Sequence, residues 1–93
     1  DSEIELRVAG LAGVSSGAKA VILNVTAANA ASDTYVTVYP NGVARPDASS
    51  LNIAGGQTAA NLVVAKVGTD GKVRLYNSAG SVSLIADVTG YFI

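Results

Sequence analysis

AVILNVTAANAASDTYVTVYP, residues 20–40, is the stretch whose reading decides the fold of this chain. Side chains of an extended backbone alternate between two faces, so Val21, Leu23 and Val25 share one face, and Ala20, Ile22, Asn24 and Thr26 the other. Apolar bulk stands on both faces, which marks a central strand with layers above and below or with neighbours across a sandwich. Val, Ile and Thr are stiff at χ1 and suit a pleated surface, so strand is preferred to a short buried helix. A connection rich in Ala, Asn, Ser and Asp, residues 27–33, then leads to Tyr35, Thr37 and Tyr39 alternating with Val36 and Val38. The expected arrangement is a hairpin, with the second strand returning beside the first.

Upstream, residues 3–9 set Ile4, Leu6 and Val8 against Glu3, Glu5 and Arg7, the pattern of a half-buried edge strand whose charges discourage stray pairing. Glycines at 10, 13 and 17 make the next segment a loop, with Leu11 and Val14 as its apolar anchors. Downstream, Pro40-Asn41-Gly42 is a turn, because Asn-Gly tolerates positive φ and proline donates nothing to a ladder. Residues 43–50 read as a surface loop, 50–53 as a short strand, and 61–67 as an apolar strand. Gly68-Thr69-Asp70-Gly71 turns the chain into residues 72–77, where Val73 and Leu75 point inward and Lys72, Arg74 and Tyr76 outward. Residues 81–93 form a final strand, expected to be long and central. Seven strands with turns between them, and no segment of helical spacing, predict an all-β fold. Residues 1–93 are read as a single-domain antiparallel β-sandwich of about seven strands.

Composition narrows the function. The chain has a net charge of -1 and few charged residues, so it lacks the basic footprint of a nucleic-acid or anionic-lipid binder. It contains no Cys, His, Met or Trp, which removes disulfides, thiolate metal sites and histidine-dependent catalysis together. Glycoside hydrolysis needs two carboxylates facing across a cleft, and no spacing here suggests such a pair. A non-enzyme without cofactor or metal is expected. No apolar run is long enough for a transmembrane helix, and the acidic opening Asp1-Ser2-Glu3 does not read as a signal peptide, although a processed form would look the same.

Several longer words then stand out in order: Leu23-Asn24-Val25-Thr26, Thr37-Val38-Tyr39-Pro40-Asn41-Gly42, and Arg45-Pro46 followed by Ser49 and Leu51-Asn52. They continue with Gly56-Gln57-Thr58 before Asn61-Leu62, Gly71-Lys72-Val73, Tyr76-Asn77-Ser78 before Gly80, and Ala86-Asp87-Val88 before Gly90-Tyr91-Phe92. Together these words resemble a module repeated in secreted and cell-wall-associated proteins of actinobacteria. The resemblance implies an extracellular accessory or surface module, found beside hydrolases and in tandem arrays. In that family an Arg-Leu-Leu-Asp-Thr-Arg-like stretch usually precedes the first strand, and this chain opens at Asp1 without it.

Two sets of residues are candidates for special roles. Asn24, Asn52, Asn61 and Asp87 sit inside apolar strand runs, where an unpaired polar group costs about 1–3 kcal/mol. They are expected to form a buried structural network, with a sugar or calcium site as the rival reading. Tyr35, Tyr39, Tyr76 and Tyr91 are candidates for cross-strand packing or for a sugar-stacking platform, Arg45 for a tie to a neighbouring carboxylate or carbonyl or, as the rival reading, for a recognition loop, and Phe92 for an apolar interface. Asp33, Asp47 and Asp70 lie in predicted turns and lack calcium-loop spacing. The expected function is a structural or self-assembling surface module that associates with itself or with tandem copies through terminal strands. The alternative is an accessory module that binds cell-wall glycan.

Overall fold

A computed structural model describes residues 2–11 and 13–93. Seven strands follow in order: β1 (Ser2–Arg7), β2 (Ala20–Ala28), β3 (Thr34–Pro40), β4 (Leu51–Ile53), β5 (Ala59–Lys66), β6 (Lys72–Asn77) and β7 (Ser83–Phe92). One 3-10 turn, Thr69–Gly71, precedes β6. All pairings are antiparallel, and they build a four-stranded sheet in the order β1-β6-β3-β4 and a three-stranded sheet in the order β5-β2-β7. The architecture is the expected all-β sandwich.

The core lies between the sheets. Val21, Leu23, Val25 and Ala27 of β2 are sealed from solvent against Val36 of β3, Val73 and Leu75 of β6, and Leu51 and Ile53 of β4. Each fully buried Val or Leu contributes about 1.5–3 kcal/mol of transfer free energy. β2 is central in its sheet, as expected, with its Val21 face sealed and its Ile22 face half-buried.

Two expectations about neighbours are corrected. β2 and β3 do not form a hairpin: they belong to opposite sheets. The connection after β2 passes Asn29 at positive φ and buries Ala30. It is then pinned to two other loops, through Ala31 N donating to Ser81 O at 2.9 Å and Gly56 N donating to Ala30 O at 2.9 Å. The chain therefore crosses the sandwich, and the apolar faces of β2 and β3 meet across the core. β7 is the longest strand but stands at an edge, paired with β2 alone. Of the anchors expected after β1, Val14 is buried and Leu11 is exposed.

The turn at Asn41-Gly42 is locked by a close approach. A Cβ on Gly68 would fall 2.1 Å from Asn41 O, so only glycine fits there. That contact lets Asn41 N and Gly68 N both donate to Lys72 O, at 3.2 and 3.0 Å. The loop of residues 43–50 then folds back over the four-stranded sheet. Thr37 Oγ1 donates to Ala48 O at 2.8 Å, and Val38 N donates to Ser50 Oγ at 3.0 Å.

Candidate functional site

The period-two alternation puts Glu3, Glu5 and Arg7 of β1, Lys72, Arg74 and Tyr76 of β6, and Tyr35, Thr37 and Tyr39 of β3 on the outer face of the four-stranded sheet. Four of the six sequence-predicted ligand or interface residues meet on this side. Arg45 reaches from the overlying loop onto Tyr76, its guanidinium 3.6 Å from the ring centroid. Tyr76 in turn packs on Tyr35, with centroids 6.1 Å apart and planes inclined at 56°. Tyr76 is buried beneath Arg45, whereas Tyr35 keeps 37% of its surface exposed. Tyr91 and Phe92 lie apart, on β7 of the other sheet.

Beside the aromatic stack runs a charge network. Arg74 donates through Nη1 to Glu3 Oε1 at 2.6 Å, through Nη2 to Glu5 Oε1 at 2.6 Å, and through Nε to Asn41 Oδ1 at 2.8 Å. Lys72 Nζ donates to Glu5 Oε2 at 3.1 Å, and Tyr39 Oη donates to Glu3. The Tyr39 hydroxyl and then Arg74 hold the Glu3 carboxyl below its ordinary pKa, while Lys72 and Arg74 do the same for Glu5. Burial, reinforced by the anionic Glu3, pushes the Tyr39 phenol up. Both carboxylates are held ionised at neutral pH, so neither has a proton to give. This arrangement can bind and orient.

The expected buried network of Asn24, Asn52, Asn61 and Asp87 is not what the structure holds. Asn52, Asn61 and Asp87 are exposed and Asn24 is half-buried. Asn24 and Asp87 are cross-strand neighbours on the outer face of the three-stranded sheet, on the side away from the core. Asn61 Nδ2 donates to Ser50 O at 2.8 Å and Asn52 lies opposite Tyr35. The buried polar cluster is built instead from residues the sequence reading passed over. Thr34 Oγ1 donates to Asn77 Oδ1 at 2.6 Å, Asn77 Nδ2 donates to Gly80 O at 2.8 Å, and Ala79 N donates to Thr34 Oγ1 at 3.1 Å. The signal for it was available, since Asn77 shares the parity of inward-facing Val73 and Leu75. Among the described residues, no cluster of three or more carboxylates is arranged to hold a metal ion.

The two flanks of the sandwich differ. On one, the Asn61 amide ties β5 to the end of the 43–50 loop, and β5 contacts β3 and β4. On the other, β1 and β7 stand as two free edges separated by a groove of about 170 Å³, lined by Ile4, Leu75, Val82 and Leu84. The outer face of the three-stranded sheet mixes polar Asn24 and Asp87 with exposed apolar side chains, Leu62 at 62% and Val64 at 63% on β5 and Ile85 at 56% on β7.

No family model matches the chain, and no curated protein is similar enough to it to count as a relative.

Proposed function

We propose that this chain is a non-catalytic extracellular structural module that associates with further copies of itself, in tandem or as separate chains, by strand addition at the free edge of β7. The observation that carries this reading is the open flank. β1 is guarded by Glu3, Glu5 and Arg7, β4 has three residues, and β5 is tied across to the loop by Asn61. β7 has no such guard. A bulge opposite Ile22 and Leu23 separates off its last residues, leaving residues 83–88 as a regular edge on which Asp87 is the one charge. A partner strand there would satisfy the unpaired backbone groups and cover Val82, Leu84 and Ile85. The likeness of the sequence words to secreted actinobacterial modules supports the extracellular setting.

Sedimentation velocity over a concentration series tests the proposal. The wild-type chain is expected to associate as concentration rises, and Val88→Lys, which plants a charge on the edge, to remain a single 9.3 kDa chain with an unchanged circular dichroism spectrum. A wild-type chain that stays monomeric throughout the series overturns it.

A further inference from the structure

The loop of residues 43–50 does more than cover Thr37: with β3 and β4 it forms a shallow groove of about 230 Å³ lined by Tyr35, Asp47, Ala48, Ser49 and Asn52. We propose that this groove is a carbohydrate subsite for one neutral pyranose ring of an extended glycan, with Tyr35 as the stacking platform and Asp47, Ser49 and Asn52 as the hydroxyl-binding groups. The proposal stands independently of the self-association reading, since it concerns the opposite sheet and a different chemistry.

Three features of the groove support it. Tyr35 is a fixed ring. Arg45 clamps Tyr76, Tyr76 packs on Tyr35, and the Tyr35 backbone N donates to Ser78 Oγ at 3.2 Å. A partly exposed aromatic held in one orientation presents a flat apolar surface to the C–H face of a sugar at little entropic cost. Second, the polar groups around the ring are uncommitted. Among the described residues, the Asp47 carboxylate, the Ser49 hydroxyl and the Asn52 amide carry no hydrogen bond to protein, although neighbouring Thr37, Ser50 and Asn61 are all engaged. Asn52 stands directly across the β3–β4 ladder from Tyr35, so its amide borders the ring. A carboxylate that only accepts, an amide that donates and accepts, and a hydroxyl that does both match the mixed donor and acceptor character of vicinal sugar hydroxyls. Third, the shape selects the ligand. The volume is below the roughly 300–1,000 Å³ of pockets that enclose drug-sized molecules, and the groove is open, which suits one ring of a chain lying across a surface. Asp47 is the charged group of the groove, so a uronate would meet like charge there.

Titration of the nitrogen-15-labelled chain with cellotriose, chitotriose and maltotriose, followed by amide chemical shifts, tests the subsite. At least one trisaccharide is expected to give saturable shifts centred on residues 35, 47–49 and 52. Tyr35→Ala is expected to weaken that binding about fivefold or more, the scale of one lost ring contact, and Asn52→Ala to weaken it as well. Tyr91→Ala, on the other sheet, is expected to leave it unchanged. Asn52 is exposed, so its variant keeps the test open should the tyrosine variant fold poorly. Absence of saturable shifts with all three sugars, shifts centred on β7, tighter binding of trigalacturonate, or affinity unchanged in both groove variants would each overturn the proposal.

Discussion

Asn77 is the residue on which the end of the sandwich near β4 and the turn after β6 converge. It is 3% exposed, and its amide joins the Thr34 hydroxyl on one side to the Gly80 carbonyl on the other. Truncation would remove both bonds and the packing of a sealed side chain, at a cost of about 1–3 kcal/mol, while the Thr34 hydroxyl keeps Ser78 and the Gly80 carbonyl reaches solvent. Asp87 is its opposite, an exposed strand carboxylate. Asn77→Ala is therefore expected to lower the unfolding free energy by about 2 kcal/mol, and Asp87→Leu to change it by less than about 0.5 kcal/mol, both measured by urea denaturation. Equal losses would reverse the assignment. The sequence marks both as polar residues in apolar runs, and what separates them is parity. Asn77 falls in step with Val73 and Leu75, whereas Asn24 falls in step with Ile22 and Thr26, away from the core. Reading the run without its parity points to the wrong asparagine. Tyr35 and Asn52 were each visible as candidates, but their partnership depends on a register that only the folded chain supplies.

Among the strands, β1 depends least on apolar burial. Its six residues pair with β6, yet Ile4 lies largely in solvent and only Leu6 is half-buried. Its side-chain anchorage is mainly electrostatic, through Arg74, Lys72 and Tyr39. The folded-state pKa values of Glu3 and Glu5 are lowered, so their contribution is present above the unfolded carboxylate value near about 4.3 and is lost as pH falls through the lower folded values. The raised Tyr39 value acts at the other end: its contribution is present below about pH 10 and is lost as pH rises through the folded value. Stability followed by chemical denaturation is expected to decline on the acid side, and Glu3→Gln to flatten that decline. An identical acid limb in the variant would remove β1 from the account. Element positions were legible because turn residues punctuate the chain: the start of β6 at Lys72 and its end at Asn77 coincide with the expected limits. Pairing was not, because alternation says which side chains share a face and nothing about which strand lies alongside. A strand bearing Val21, Leu23 and Val25 is equally content beside Val36 and Val38 or across the core from them.

At the scale of the molecule, the two sheets present different chemistry. The four-stranded sheet carries tyrosines and paired charges under a polar loop, and the three-stranded sheet presents exposed Leu62 and Val64 on β5 and Ile85 on β7. The proposed self-association and the proposed sugar binding thus draw on separate surfaces and do not compete. The open flank has a mechanical corollary. Ser2 lies beside Val82 and Leu84 at the start of β7, while Phe92 lies at the far end, opposite Ala20. Tension applied between Ser2 and Phe92 would draw β1 along β6 and β7 along β2, so each ladder bears load lengthwise and its hydrogen bonds share it. Tension between Ser2 and Asn77, which face each other across one ladder, would peel the pairs apart singly. Optical-tweezer unfolding is expected to need markedly more force in the first attachment than in the second, and equal forces would contradict the geometry. A tandem array of such units would behave as a tether that resists stretching along its length and yields to sideways prying at the β1 edge.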